Sequence, residues 1–143
     1  MKILVLCTGN SCRSQMAEGF FKRYFEDAGD SESASAVRSA GLEPHGVNPN
    51  AVKVMNEIGI DISCHTSNHL SEYLDEQFDY VITVCDNAAA NCPTFPGDTA
   101  RLHWPLDDPA AATGTEDEIL DEFRRVRDEI DGKIKAWLAS AEA

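Results

Sequence analysis

Cys7, Thr8, Gly9, Asn10, Ser11, Cys12, Arg13 and Ser14 run consecutively near the N-terminus, and each residue type suits a step of oxyanion chemistry. A cysteine separated by five residues from an arginine sets a nucleophile beside a planar fork that matches a tetrahedral oxyanion. Gly9 and Asn10 tolerate the left-handed backbone that a tight cradle needs. Successive amide N–H groups then converge inward, and a helix beginning at Ser14 adds the positive end of its dipole. The same field favours the thiolate of Cys7, and a hydroxyl from Ser14 or Ser11 stabilises it further. Cys-x5-Arg is short and by itself arises by chance. Between a strand and an amphipathic helix it points to an anion-binding thiol, with Thr8 to Ser14 as the binding set.

Two further places carry chemistry. Cys85 and Cys92 are separated by Asp86-Asn87-Ala88-Ala89-Ala90-Asn91, a segment of small and polar residues that folds as a short helix or loosens. Loosened, it would let the two thiols meet, since a disulfide needs Cα atoms within about 7 Å. Three thiols, Cys7, Cys85 and Cys92, could then pass oxidation along by exchange. The alternative for the pair is two unrelated buried cysteines. In Leu106-Asp107-Asp108-Pro109, the carboxylic acid of Asp108 could protonate a departing oxygen, with Pro109 restraining its loop; the alternative is a turn-forming Asp-Pro.

The elements that position these residues follow from periodicity. Lys2 to Leu6 is a short branched apolar run and reads as a buried strand. From Ser14, Ala17, Phe20, Phe21, Tyr24 and Phe25 recur at helical spacing up to Ala28-Gly29. Asp30 to Ser35 reads as polar and flexible, and Ala36 to Ala40 as a strand closed by Gly41. Pro49 opens a helix with Ala51, Val52, Met55 and Ile58 inward and Gly59 at its end. Leu70 to Gln77 is a shorter helical piece introduced by Ser71. Tyr80 to Val84 is a clear strand and Ala100 to Trp104 a weaker one. Asp108 to Gly114 is an Ala-rich connector. Ile119, Phe123, Val126, Ile130, Ile134 and Trp137 form the stripe of a C-terminal helix, with Thr115-x-x-Glu118 as a capping box and Asp121/Arg125 and Glu129/Lys133 as surface pairs. Alternating strands and helices imply a parallel sheet with right-handed crossovers and ligands at the carboxyl ends of its strands.

Composition bounds the answer. The 143 residues suit a single domain, 1–143, and 43% hydrophobic content is enough for a core. A net charge of −13 repels nucleic acid and anionic membranes, so neither is expected as a partner. The first apolar run stops at Thr8-Gly9-Asn10, too early for a signal peptide, and no run approaches the ~20 apolar residues of a membrane span. A cytoplasmic, soluble protein is expected. The odd count of five cysteines, without a Cys-x2-Cys pair, argues against both a disulfide framework and structural zinc.

Taken together, these residues resemble the thioredoxin-coupled arsenate reductases, which share the fold of the low-molecular-weight protein tyrosine phosphatases. The resemblance spans Cys7 to Gly19, Ser39 to Glu43, His45 to Pro49, Asp61 to Ser63, Val84-Cys85, Cys92-Pro93, His103-Trp104, Asp107 to Ala110 and Phe123 to Ile130. It implies an α/β three-layer sandwich with a central four-stranded parallel sheet. It also implies that Cys7 attacks arsenate while Arg13 and the loop hold the oxygens and Asp108 acts as general acid. Cys85 then releases arsenite, Cys92 takes over the disulfide, and thioredoxin reduces it. No tightly bound cofactor is implied. Family members bind potassium through positions matching Asn10, Glu18, Ser39 and an aspartate; here the last is Asn68, one charge fewer. Cys64 lies outside the relay pattern, and Cys12 is expected to be structural or a partner for oxidised Cys7. A monomer is expected.

Two other readings use the same residues. A low-molecular-weight tyrosine phosphatase would form a phosphocysteine on Cys7, but Ala110 stands where such phosphatases place an aromatic residue, and a hydrolase has no use for Cys85 and Cys92. A non-catalytic oxyanion or redox sensor would not need Asp108. A glutaredoxin-like electron donor is the remaining variant of the reductase.

Overall fold

Ile3–Cys7 forms β1 because five consecutive apolar residues, four of them branched at Cβ or Cγ, can be buried on both faces of a sheet, and all five are buried. The structure, a computed structural model, describes residues 1–141. Helix α1 (Arg13–Asp27) follows, then α2 (Ser31–Ala36), β2 (Arg38–Gly41), α3 (Pro49–Asn56), β3 (Tyr80–Thr83), α4 (Asp86–Ala90), β4 (Ala100–His103) and α5 (Glu116–Ala141). Single 3-10 turns occupy Leu70–Tyr73 and Pro109–Ala111.

The four strands are parallel in the order β2-β1-β3-β4. From β1 the chain moves outward through α1 to β2, and from β3 it moves the other way through α4 to β4. The connections therefore diverge between β1 and β3, which is the topological switch point where parallel sheets bind ligands. Helices α1 and α4 lie on opposite faces. Tyr80 of β3 meets Trp137 of α5 edge-on at 4.8 Å, within an aromatic cluster that includes Phe21 of α1. Val81 and Thr83, pointing the other way, share a cavity with Ala89 of α4 and with Cys92.

The apolar stripe of α5 is buried as expected, with Phe123, Val126, Ile130 and Ile134 at most 1% exposed. Its capping box is formed: Glu118 N donates to Thr115 Oγ1 at 3.2 Å and Thr115 N to Glu118 Oε1 at 3.3 Å.

Several local expectations are corrected. The polar stretch after Gly29 is helical rather than flexible, because Asp30 caps α2 through Ser33 N and Oγ and the fold buries Ser33 and Ala34. In α3 the inward residues are Ala51, Val54 and Met55, whereas Ile58 lies past the helix end and is exposed. The helical piece after His69 is one 3-10 turn, capped by the His69 ring rather than by Ser71. On α5, Arg125 pairs with Glu122, Glu129 and Asp107, and Asp121 pairs with Arg124.

Candidate active site

Cys7 ends β1 and Arg13 begins α1, so the loop between them must turn sharply at the carboxyl edge of the sheet. Asn10 makes the turn with φ of 45°, the left-handed value expected of it. Gly9 does not share that conformation. A Cβ there would sit 3.2 Å from Nδ1 of the exposed His45 ring, a tight contact that a small shift of that side chain relieves.

The inward convergence of amides has a visible cause. Every carbonyl from Thr8 to Ser11 is held from outside the loop. Thr8 O accepts from Glu43 N, Gly9 O from His45 N and Ser11 O from Asn48 N, at 2.9 to 3.0 Å. Asn10 O accepts from Gln15 Nε2 at 3.0 Å and from Ser67 Oγ at 2.9 Å. In a trans peptide the next N–H points opposite to the carbonyl. The N–H groups of Gly9, Asn10, Ser11 and Cys12 are thereby turned away from the scaffold. Asn10 N lies 3.2 Å from Cys7 Sγ, as this requires.

Cys7 is almost completely buried, and its Sγ also lies 2.9 Å from Ser14 Oγ. A thiolate there accepts from both. Ser14 is oriented in turn by Asn10 Nδ2 at 2.8 Å, and the same amide reaches Ser39 Oγ at 2.9 Å. Arg13 donates from Nη1 to Leu106 O at 3.1 Å, which aims its Nη2 toward Asp108 Oδ2 at 3.8 Å. Asp108 is fixed through its other oxygen, which accepts from Ala110 N at 3.0 Å. Cys7, Arg13 and Asp108 line one cavity of about 380 Å³, walled on its far side by His45 to Pro49 and by Ala110.

Of the expected binding set, Thr8, Gly9, Ser11, Cys12 and Arg13 line this cavity. Asn10 and Ser14 do not: both are fully buried and act from behind the loop. Burial pushes the Cys12 thiol up to about 12, which keeps it protonated and fits a structural role. Cys85, buried at the end of β3, approaches through Thr8, whose Oγ1 is 3.4 Å from Cys85 Sγ and accepts from Asn87 Nδ2 at 3.1 Å. Cys92 is not brought to the site. It sits past α4 in the cavity on the α4 face of the sheet, with burial raising its thiol and Arg101 opposing that rise. All five cysteines are free, and Cys64 is exposed.

A family profile described as low molecular weight phosphotyrosine protein phosphatase matches residues 2–143. The arsenate reductase of Halalkalibacterium halodurans is 55% identical over 135 residues, covering 94% of this chain and 93% of that protein. The chain belongs to the arsenate reductase branch of this family. A solved arsenate reductase in its oxidised state superimposes with a TM-score of 0.76 at 34% identity, over 97% of each chain. A thioredoxin-dependent arsenate reductase of Corynebacterium glutamicum gives 0.72 at 28% identity, over 99% of this chain and 61% of that one.

The potassium set of the arsenate reductase family comes together only in part. Ser39 Oγ donates to Glu18 Oε1 at 2.6 Å, and Lys22 Nζ lies 2.8 Å from Glu18 Oε2, so an ammonium already meets that carboxylate. Asn10 Oδ1 accepts from Asn68 N, while the Asn68 side chain turns away to Glu72 and Thr66. With these oxygens taken by a hydroxyl, an ammonium and a backbone N–H, and the Asn68 amide turned away, the set does not fit a potassium cage.

Sequence reasoning missed Gln15 and Ser67, which fix the Asn10 carbonyl, and the buried pair of His65 with Glu18 at 3.4 Å. Neither Gln15 nor Ser67 carries a signal in the sequence: at helical spacing Gln15 shares its face with Glu18, Gly19 and Lys22, where a polar residue is unremarkable.

Proposed function

We propose that this protein reduces arsenate to arsenite in a reducing cytoplasm, with Cys7 as nucleophile and thioredoxin as the final reductant. The observation that carries the reading is a buried thiol facing loop amides, an arginine fork and a carboxylic acid in one cavity, with a second thiol one hydroxyl away. The Cys7 thiolate attacks arsenic, and a hydroxide leaves with a proton from Asp108. Arg13 and the amides of Gly9 to Cys12 hold the remaining oxygens. Cys85 then attacks Cys7 Sγ. The sulfur–arsenic bond breaks with its electron pair on arsenic, arsenite departs, and a Cys7–Cys85 disulfide remains. Cys92 attacks Cys85 and frees Cys7, and thioredoxin reduces the Cys85–Cys92 disulfide. The 55% identical arsenate reductase and the thioredoxin-dependent neighbour support substrate and reductant respectively.

Weak phosphate-ester hydrolysis at the same site is a side activity, because phosphate and arsenate are near isosteres. Ala110 on the cavity wall offers no aromatic ring to hold a phenyl group. The test follows NADPH oxidation with thioredoxin, its reductase and arsenate, beside para-nitrophenyl phosphate hydrolysis. Arsenate-dependent oxidation lost in Cys85→Ser is expected. In Cys92→Ser, about one arsenite per protein should form before the enzyme stalls as Cys7–Cys85; repeated turnover would sink the three-thiol relay.

A further inference from the structure

Cys85 caps the N-terminus of α4, and Cys92 lies two residues beyond its last residue. Seven steps at about 1.5 Å each separate their Cα atoms by about 10 Å along a helical path. A disulfide needs about 7 Å or less, so this segment must unwind before Cys92 reaches Cys85. Little core packing opposes that. Only Ala88 is buried between the two cysteines.

Asn87 Nδ2 ties the first turn to Thr8 Oγ1 at 3.1 Å, and the other side-chain contacts that hold the segment come from the edge strand. Arg101 and His103 are two residues apart on β4 and therefore face the same side, where they share a cavity with Ala89 and Cys92. His103 Nε2 is 3.0 Å from Asp86 Oδ1, in the first turn of α4. The ring is oriented by Thr83 Oγ1, 2.8 Å from its Nδ1. Arg101 Nη2 donates to Pro93 O at 2.7 Å. One contact falls immediately after the first thiol and the other immediately after the second.

We infer that Arg101 and His103 are positioning residues of the disulfide relay, two staples from β4 that keep the Cys85–Cys92 segment helical in the dithiol state and must release for the disulfide to move. The inference rests on the relay reading above. In the transfer step, the Cys92 thiolate attacks Cys85 Sγ and the Cys85–Cys92 bond forms. The Cys7–Cys85 bond breaks and Cys7 leaves as thiolate, so no electrons leave the protein. Contacts present only in the helical form favour dithiol over disulfide, which makes the couple more oxidising. The Asp86 carboxylate is largely exposed, so its pairing is worth only about two- to fivefold in an equilibrium constant. That is enough to tune a segment so weakly packed.

The test uses the full chain with arsenate, in Asp86→Ala, Asp86→Asn and Arg101→Met forms. Rapid quenching with thiol labelling separates the arsenite burst, which makes Cys7–Cys85, from its conversion to Cys85–Cys92. Amide hydrogen exchange reports Ala89 and Asn91, whose N–H groups bond the Cys85 and Asn87 carbonyls. Asp86→Ala should speed conversion and exchange about two- to fivefold while the burst keeps its rate. Its couple should move about 10–20 mV more negative, at ~30 mV per tenfold. Asp86→Asn keeps an acceptor for His103 and should return toward the parent. Arg101→Met should speed exchange at the same amides. Parental exchange and conversion in both Asp86→Ala and Arg101→Met would overturn the inference. So would equal slowing of burst and conversion, the mark of a merely structural role. Repeated turnover by Cys92→Ser would instead refute the relay, whatever the staples do.

Discussion

At the scale of single residues, Asp108 shows how one carboxylate is prepared for two tasks. Its Oδ1 caps the Pro109–Ala111 turn, which fixes the side chain, and its Oδ2 faces Arg13 at the cavity. Asp108→Asn keeps the cap and loses the proton, so the single-turnover rate of arsenite formation should fall about 100-fold or more. An unchanged rate would remove Asp108 from the chemistry. His65 carries a prediction about stability. Burial lowers its affinity for a proton below the usual histidine value, against the opposing pull of Glu18. A base with a depressed folded pKa binds protons more readily when unfolded, so stability is full above about pH 6.5 and declines as pH falls below it. The urea midpoint should drop between pH 7.5 and 5.5, and by less in His65→Asn. Cys7, Arg13 and Asp108 were legible in the sequence because their chemistry lies in the side chain itself. Gln15 and Ser67 were not, because they act only on a carbonyl that the turn of the loop brings to them.

At the scale of elements, the loop depends on the end of β2. A Cβ on Gly41 would fall 2.6 Å from Thr8 O and 2.8 Å from Asn10 N. Neither contact can be relieved by a side-chain rotation, because both are backbone atoms of the cradle. Gly41→Ala should therefore displace the loop amides and lower kcat/KM for arsenate about 100-fold, the scale of a 1 Å misplacement. Steady-state kinetics beside a circular dichroism spectrum would check it: parental kinetics would show that the cradle tolerates the shift. The apolar residues exposed α1 and α5 by a helical period with one buried side, and β1 and β3 as short continuous runs rich in branched residues and buried on both faces. It did not reveal α2, whose helix is set by the Asp30 cap and the burial of Ser33 and Ala34 rather than by a long apolar stripe.

At the scale of the whole molecule, the charge of −13 is spread over a surface that binds an anion at one point. The site is compensated locally by amides and Arg13, while the remaining carboxylates repel one another. Raising sodium chloride from 0.01 to 0.5 M shortens the Debye length from about 30 Å to a few Å and should raise Tm by a few degrees, on the order of 1 kcal/mol. A scanning calorimetry series would show it; a falling Tm would mean that the surface ion pairs outweigh the repulsion. Among the described residues the large exposed apolar side chains are Met1, Ile58 and Leu74, and no helix is long and apolar enough to cross a membrane.

The sequence by itself determined which atoms could react and which segments would be buried, because nucleophilicity, charge and hydrophobic period belong to residues and their near neighbours. Only the tertiary structure decided how those atoms meet. The divergence of connections between β1 and β3 brings Cys85 up to Thr8, the strap from Glu43 to Asn48 turns the loop amides inward, and β4 sets Cys92 apart behind α4. The first two join residues tens of positions apart and the third spans a loop, all through hydrogen bonds and crossover geometry, and neither leaves a periodic trace along the chain.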